Sequence, residues 1–149
     1  MYKVVIDTNS LIDAEGDAYN SSNRIIDQVI AGNIKAYANH ATLRENKFIT
    51  PKKLVDQNYL NKLAYFFDAV EKVENGPRLN VVTEDSQDNK ILESAITARA
   101  DYLITSDKHL LRIGKYKGVK IVRPTEFWNI FQDSTQDGWS NWLKNFINN

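Results

Sequence analysis

Twice in this chain a short β-branched or apolar run stops at an aspartate and is followed at once by residues that start helices. Lys3-Val4-Val5-Ile6 runs into Asp7-Thr8-Asn9, and Tyr102-Leu103-Ile104 runs through Thr105-Ser106 into Asp107-Lys108-His109-Leu110-Leu111. A buried strand that gives way to a helix is the unit of a mostly parallel sheet covered on both faces. Each aspartate then stands at the carboxyl end of its strand. In an open α/β sheet that is the end where ligands bind.

The rest of the chain extends the alternation. Residues 2–6, 34–38, 79–82, 101–105 and 119–122 read as five strands. Arg24 to Ala31, with Ile25, Ile26, Val29 and Ile30 on one stripe, reads as a helix closed by Gly32-Asn33. Ala41 to Ile49 suits a helix stopped before Pro51. From Tyr59 to Val73 the set Leu60, Leu63, Ala64, Phe67 and Val70 keeps helical spacing up to Asn75-Gly76-Pro77. Asp88 to Ala98 places Ile91, Leu92, Ala95 and Ile96 on one face, residues 107–112 form a short helix, and Pro124 opens another carrying Phe127, Trp128 and Phe131. Trp139, Trp142, Leu143, Phe146 and Ile147 then follow i, i+3, i+4, i+7, i+8 spacing after a linker-like Gln132 to Gln136. This aromatic face is expected to pack on its own domain, with a partner surface as the alternative. The expected organisation is one domain over residues 1–132 and a C-terminal amphipathic aromatic helix over 133–149.

A chain of 149 residues, 42% apolar and 26% charged, is large enough for one core and too short for two. It has no cysteine and two histidines, so a bound metal would be held by oxygen. No apolar run approaches the roughly 18 residues of a membrane helix, and no basic segment followed by an apolar stretch opens the chain. A cytoplasmic protein with no membrane partner is expected. With 19 basic and 19 acidic residues there is no global cationic field to hold a nucleic acid. A cluster of acids neutralised by divalent ions binds phosphate without one and needs only local cations. Lys47, Lys52, Lys53, Lys90, Lys108, Arg112, Lys115 and Lys117 are available, and Lys90 and Lys108 are the two assigned to substrate phosphate.

Asp88 and Glu45 stand at helix-like segments that would bring them to the two strand-end aspartates. Four carboxylates so placed would repel one another and raise some of their pKa values unless a cation lay among them. Mg²⁺ and Mn²⁺ take such oxygen ligands and make water a stronger nucleophile toward phosphorus. Thr8, Asn9, Thr105 and Ser106 can orient the acids or their waters. Each residue has a plainer role open to it. Asp7 and Asp107 could be helix N-caps, and Asp88 a first-turn acid favoured by the helix dipole. Asp101 opens a strand at the opposite end of the sheet and is excluded. His40 and His109 lack the paired spacing of a zinc site, and Trp139 and Trp142 fit a packed face better than a base-stacking one.

Taken together, Val4-Val5-Ile6-Asp7-Thr8-Asn9-Ser10-Leu11-Ile12, Leu43-Arg44-Glu45, Asp85 to Glu93, Ala100 to Leu111 and Val119 to Phe127 resemble the PIN-domain ribonucleases related to VapC, the toxins of toxin–antitoxin modules. The resemblance implies a three-layer α/β/α domain with a central five-stranded parallel sheet. It implies a metal-dependent endoribonuclease whose Asp7, Glu45, Asp88 and Asp107 bind Mg²⁺ or Mn²⁺, with Thr105 or Ser106 at the hydroxyl position beside the last acid. Its partners would be single-stranded or structured RNA, a cognate antitoxin and a second copy of the chain. The segment around Glu45 is only loosely similar, and the aromatic tail lies outside the resemblance. Two other classes stay open: a non-catalytic RNA- or protein-binding module on the same fold, and a phosphatase, for which Asp7-Thr8-Asn9 offers asparagine where a second aspartate is wanted.

Overall fold

The computed structural model describes residues 1–74 and 86–148, with side-chain surroundings described for all of these except 86, 87, 137–139 and 141. In chain order the elements are β1 (Lys3–Ile6), α1 (Thr8–Asp13), α2 (Ser21–Ile30), β2 (Lys35–Asn39), α3 (His40–Lys53), α4 (Gln57–Ala69), β3 (Glu71–Val73), α5 (Ser86–Thr97), β4 (Tyr102–Ile104), α6 (Lys108–Ile113), β5 (Lys115–Tyr116), β6 (Val119–Val122) and α7 (Pro124–Asn148). The sheet order is β3-β2-β1-β4-β6-β5. All pairs are parallel except β5 with β6.

Strand alternation generates the three layers, because successive side chains leave a strand on opposite faces. Val4, Tyr102, Ile104 and Val122 enter one cluster with residues of α1, α2, α3, α4 and α7, including Leu11, Ile25, Ile26, Leu43, Leu63, Phe66 and Phe127. Val5, Leu103, Val119 and Ile121 enter the other, with Leu92 and Ala95 of α5 and Leu110 of α6. The chain first builds outward from β1 to β2 to β3 and then returns to β4 on the far side of β1. Parallel crossovers are almost always right-handed, so reversing the direction of travel moves the covering helices to the opposite face. The strand order reverses between β1 and β4, whose register pairs Ile6 with Ile104.

Several local expectations are corrected. Asn20 and Asp56 cap α2 and α4 through their side chains, so both helices begin earlier than their apolar stripes. Ile30 is exposed and does not belong to the buried face of α2. Residues 71–73 are a strand rather than the end of a helix. Glu71-Lys72-Val73 has no inward apolar face, and its conformation is set by pairing with Tyr37 to Asn39. Pro51 lies inside the last turns of α3 instead of ending it. Buried Thr50 and Leu54 hold that end, through a Leu54 amide bond to the Thr50 carbonyl of 2.9 Å. The short β5 is joined to β6 by Lys117-Gly118, both at positive φ (47° and 85°), which gives the tight hairpin its handedness. The expected strand over Leu79 to Val82 falls outside the described residues.

α7 runs unbroken from Pro124 to Asn148 through the linker-like segment. Its first turns bury Phe127 and lay Trp128 and Phe131 against the core. Farther on, the expected packing of the aromatic face on its own domain is not found for Trp142, Phe146 and Ile147, which are 51%, 70% and 76% exposed. The rings of Trp142 and Phe146 stack on each other, 5.3 Å apart. Among the described residues no helix is long and apolar enough to cross a membrane.

Candidate active site

The reversal of strand order opens a crevice beyond the carboxyl ends of β1 and β4, where neighbouring crossovers leave on opposite faces. Asp7 is the first residue past β1, and its amide donates to the Ile104 carbonyl at 2.9 Å, sealing the two strand ends together. Beyond β4, Thr105 is fully buried and works in two directions. Its Oγ1 donates to Asp7 Oδ2 at 2.9 Å and accepts from the Asp107 amide at 3.0 Å. One hydroxyl thus fixes both strand-end aspartates.

A cavity of about 220 Å³ at this point is lined by Asp7, Thr8, Asn9, Ile12, Thr42, Glu45, Asn46, Ile49, Lys53, Asp88, Ile91 and Asp107. All four carboxylates assigned to the site therefore reach it, from the ends of β1 and β4 and from α3 and α5. Asp7 and Asp88 are 6% and 5% exposed, whereas Glu45 is exposed. A larger hollow of about 600 Å³, with Tyr2, Asp101, Tyr102 and Lys120 in its wall, lies at the amino ends of the strands. Asp101 belongs to that end, where its Oδ2 accepts from the Lys3 amide at 2.9 Å.

The plainer roles separate the acids. Asp107 does cap α6, its Oδ1 accepting from the His109 and Leu110 amides at 2.8 and 3.2 Å, so the cap bonds engage one of its two oxygens. Asp7 sits at the N-cap position of α1 but makes no side-chain cap bond. Its carboxylate is committed to Thr105. Burial pushes the Asp7 carboxyl above its ordinary range, the Asp107 charge adds to the rise, and the Thr105 hydrogen bond and the nearby Thr8 and Asn9 amides oppose it. Asp88 occupies the first turn of α5, so proximity to the helix dipole and to the cleft coincide.

Of the supporting residues, Thr105 contacts the acids and Ser106 is exposed. Thr8 and Asn9 line the cleft, but the Thr8 hydroxyl donates to Asn46 Oδ1 at 2.7 Å rather than to a carboxylate. Asn46, 5% exposed, thereby ties α3, and with it Glu45, to the end of β1. Asn39, at the end of β2, caps α3 by accepting from the Thr42 amide at 2.7 Å and ties it to α5 by donating to Ser94 at 3.2 Å. Lys90 and Lys108 are exposed and are not in the cavity wall, whereas Lys53 is. Sequence reasoning passed over Asn46 and gave Lys53 no special place. The available signal was spacing, since Thr42, Glu45, Asn46, Ile49 and Lys53 fall at i, i+3, i+4, i+7 and i+11, one stripe of a helix.

The donors suit a hard divalent cation. They are carboxylate oxygens in a chain without thiols, and Asp7 carries a burial penalty that a cation would relieve. Among the described residues no three acidic or histidine side chains converge into a ready-made cage. Mg²⁺ does not need one, because it keeps several waters and is commonly held by one or two carboxylates with phosphate completing the shell. The site fits such a water-rich ion. Replacing Thr105 by Val removes the hydroxyl at nearly constant volume, and the Mg²⁺ concentration for half-maximal thermal stabilisation is expected to rise about 10–100-fold. Thr105→Ser should restore it. An unchanged Mg²⁺ titration in the Val variant would show that the Asp7 orientation does not depend on this bond.

Fold and cleft together define a three-layer α/β/α domain with an acid-lined site at the switch point of its sheet. A family model described as the PIN domain matches residues 3–109, and the chain belongs to the PIN domain family, whose members are generally nucleases. It is 31% identical over 144 residues to the uncharacterized protein MJ1680 of Methanocaldococcus jannaschii, covering 87% of this chain and 92% of that protein. The crystal structure of PAE2754 from Pyrobaculum aerophilum is similar, with a TM-score of 0.59 at 18% identity over 89% of this chain and 90% of the other. VapBC2 from Rickettsia felis, solved bound to a DNA fragment from its promoter, gives a TM-score of 0.51 at 18% identity, covering 81% of this chain and 98% of the matched one.

Proposed function

We propose that the protein is a Mg²⁺- or Mn²⁺-dependent endoribonuclease that hydrolyses phosphodiester bonds of single-stranded RNA, and that it is the toxin of a toxin–antitoxin module. The observation that carries this reading is the arrival of Asp7, Glu45, Asp88 and Asp107, from four separate stretches of chain, at one cleft. Asp7, Asp88 and Asp107 would hold the ion directly or through its waters, with Glu45 as a further ligand or as the proton acceptor; the ion would supply positive charge beside the phosphate and a more acidic water. Thr105 keeps Asp7 aimed into the cleft, and the α6 amides hold Asp107 by one oxygen. In the second of those roles Glu45, exposed at the rim, would take the proton released by the attacking water.

Cleavage of a labelled panel of single-stranded and structured RNAs is expected with Mg²⁺ or Mn²⁺ and not with chelator. Folded protein that cuts none of them in either metal would overturn the nuclease reading. The toxin reading draws support from the fold shared with VapBC2. It predicts growth arrest when the chain is induced alone and relief when its antitoxin is supplied; unimpeded growth would count against it. A homodimer belongs to the same proposal, checked by sedimentation across concentrations.

A further inference from the structure

The cleft is longer than the acid cluster, and its composition changes along its length. Asp7, Asp88, Asp107 and Glu45 mark the acidic part. On the same α3 stripe Ile49 follows Glu45 by one turn and Lys53 by two, and Ile12 faces them from α1, where it follows Thr8 by one turn. Ile12 and Ile49 are half-buried, so each still offers apolar surface to the cleft. Lys53 is exposed in the last turn of α3, and no ion pair to it is found among the described residues. Lys53 stands eight positions after Glu45 on the helix, a rise of about 12 Å. That is several times the roughly 3.4 Å axial rise per nucleotide of a stacked strand. Acid, apolar floor and cation therefore succeed one another over a length of more than one nucleotide.

We propose that this stripe is a subsite for single-stranded RNA on one side of the cleaved bond. Ile12 and Ile49 receive an unstacked base, and Lys53 binds a backbone phosphate two or more nucleotides from the acids. The inference rests on the nuclease reading of the cleft and extends the substrate contact beyond the acids. A duplex cannot splay a base onto the Ile12–Ile49 floor, so the subsite selects unpaired RNA. Lys53 is suited to the phosphate because it is exposed two turns along α3 from Glu45 and no ion pair to it is found among the described residues.

The test separates binding from cleavage. Affinity for a labelled oligoribonucleotide is measured by fluorescence anisotropy in the Asp7→Asn background, with Mg²⁺, for Lys53, Lys53→Ala and Lys53→Arg, and against salt. Lys53→Ala is expected to bind several-fold more weakly, with a log–log salt slope smaller by about 0.7, the share of one single-strand phosphate contact. Lys53→Arg should stay near the parent. A single uncharged methylphosphonate, scanned along the strand, should weaken the parent at one position and have no effect there in Lys53→Ala. Equal affinity and equal salt slope for Lys53 and Lys53→Ala would overturn the subsite, as would a methylphosphonate effect that persists in the variant. If the binding results hold while wild-type protein cuts nothing, the subsite stands and the nuclease reading fails. If wild type cuts RNA and Lys53→Ala binds and cuts with unchanged KM, the reverse is true.

Discussion

Asp7→Asn protein is expected to lose RNA cleavage by about a hundredfold or more and yet to melt at a higher temperature than wild type in metal-free buffer at neutral pH. The loss follows from the role proposed for Asp7 in holding the ion. The gain follows from the same charge. Burial and Asp107 hold the Asp7 carboxyl above 3.8, so the native state keeps this proton more tightly than the unfolded chain does. The stability tied to this proton is therefore present below the ordinary aspartate range and is lost as pH rises through the folded value. Asparagine carries no such penalty and keeps an oxygen for the Thr105 hydroxyl. The melting difference should amount to about 2–4 °C per kcal/mol for a chain of this size and should vanish in acid below the ordinary aspartate range. Saturating Mg²⁺ should close it by relieving the charge in wild type. Melting curves of both proteins at neutral and acid pH, with and without Mg²⁺, decide the matter. A variant less stable than wild type in chelator at neutral pH would remove the argument from burial.

The second large effect lies away from the cleft. Phe127 is fully buried and meets Tyr2 and Tyr102 edge-on at 5.7 and 5.3 Å and stacks on Phe131 at 6.4 Å. It is the point at which α7 is anchored to the sheet between β1 and β4. Phe127→Ala leaves a cavity that these stiff rings cannot refill and is expected to cost about 3–5 kcal/mol. The urea midpoint should fall with little change in slope. A fall of less than about 1 kcal/mol would show that the first turns of α7 contribute little to the core.

How far the sequence discloses all this depends on how local each cause is. β1, β4 and β6 are legible because their apolar runs are buried on both faces, and the acids at the ends of β1 and β4 are legible with them. β3 and β5 are not, because Glu71-Lys72-Val73 and Lys115-Tyr116 are strands only through the neighbours they pair with. Glu45 is poorly marked by its own surroundings, and its place in the cleft comes from Asn46 bonding Thr8 from 38 residues away. The exposure of Trp142 and Phe146 is hidden for a similar reason. Helical spacing reveals that an apolar face exists but not what, if anything, in the same chain lies opposite it.

The central position of β1 in the sheet has a consequence for the chain's synthesis. Asp7 is made well before its partners: the carbonyl that seals its amide belongs to Ile104 and the hydroxyl that aims its carboxylate belongs to Thr105, 98 residues later. At about 5–20 residues per second the interval between them is on the order of 5–20 s, and the exit of that stretch from the ribosome adds to it. Throughout that time the growing chain has its first aspartate and no finished cleft. Until residues 102–105 have been made, Asp7 has neither bond, so the carboxyl end of β1 waits on a strand about a hundred residues later to become one wall of the cleft.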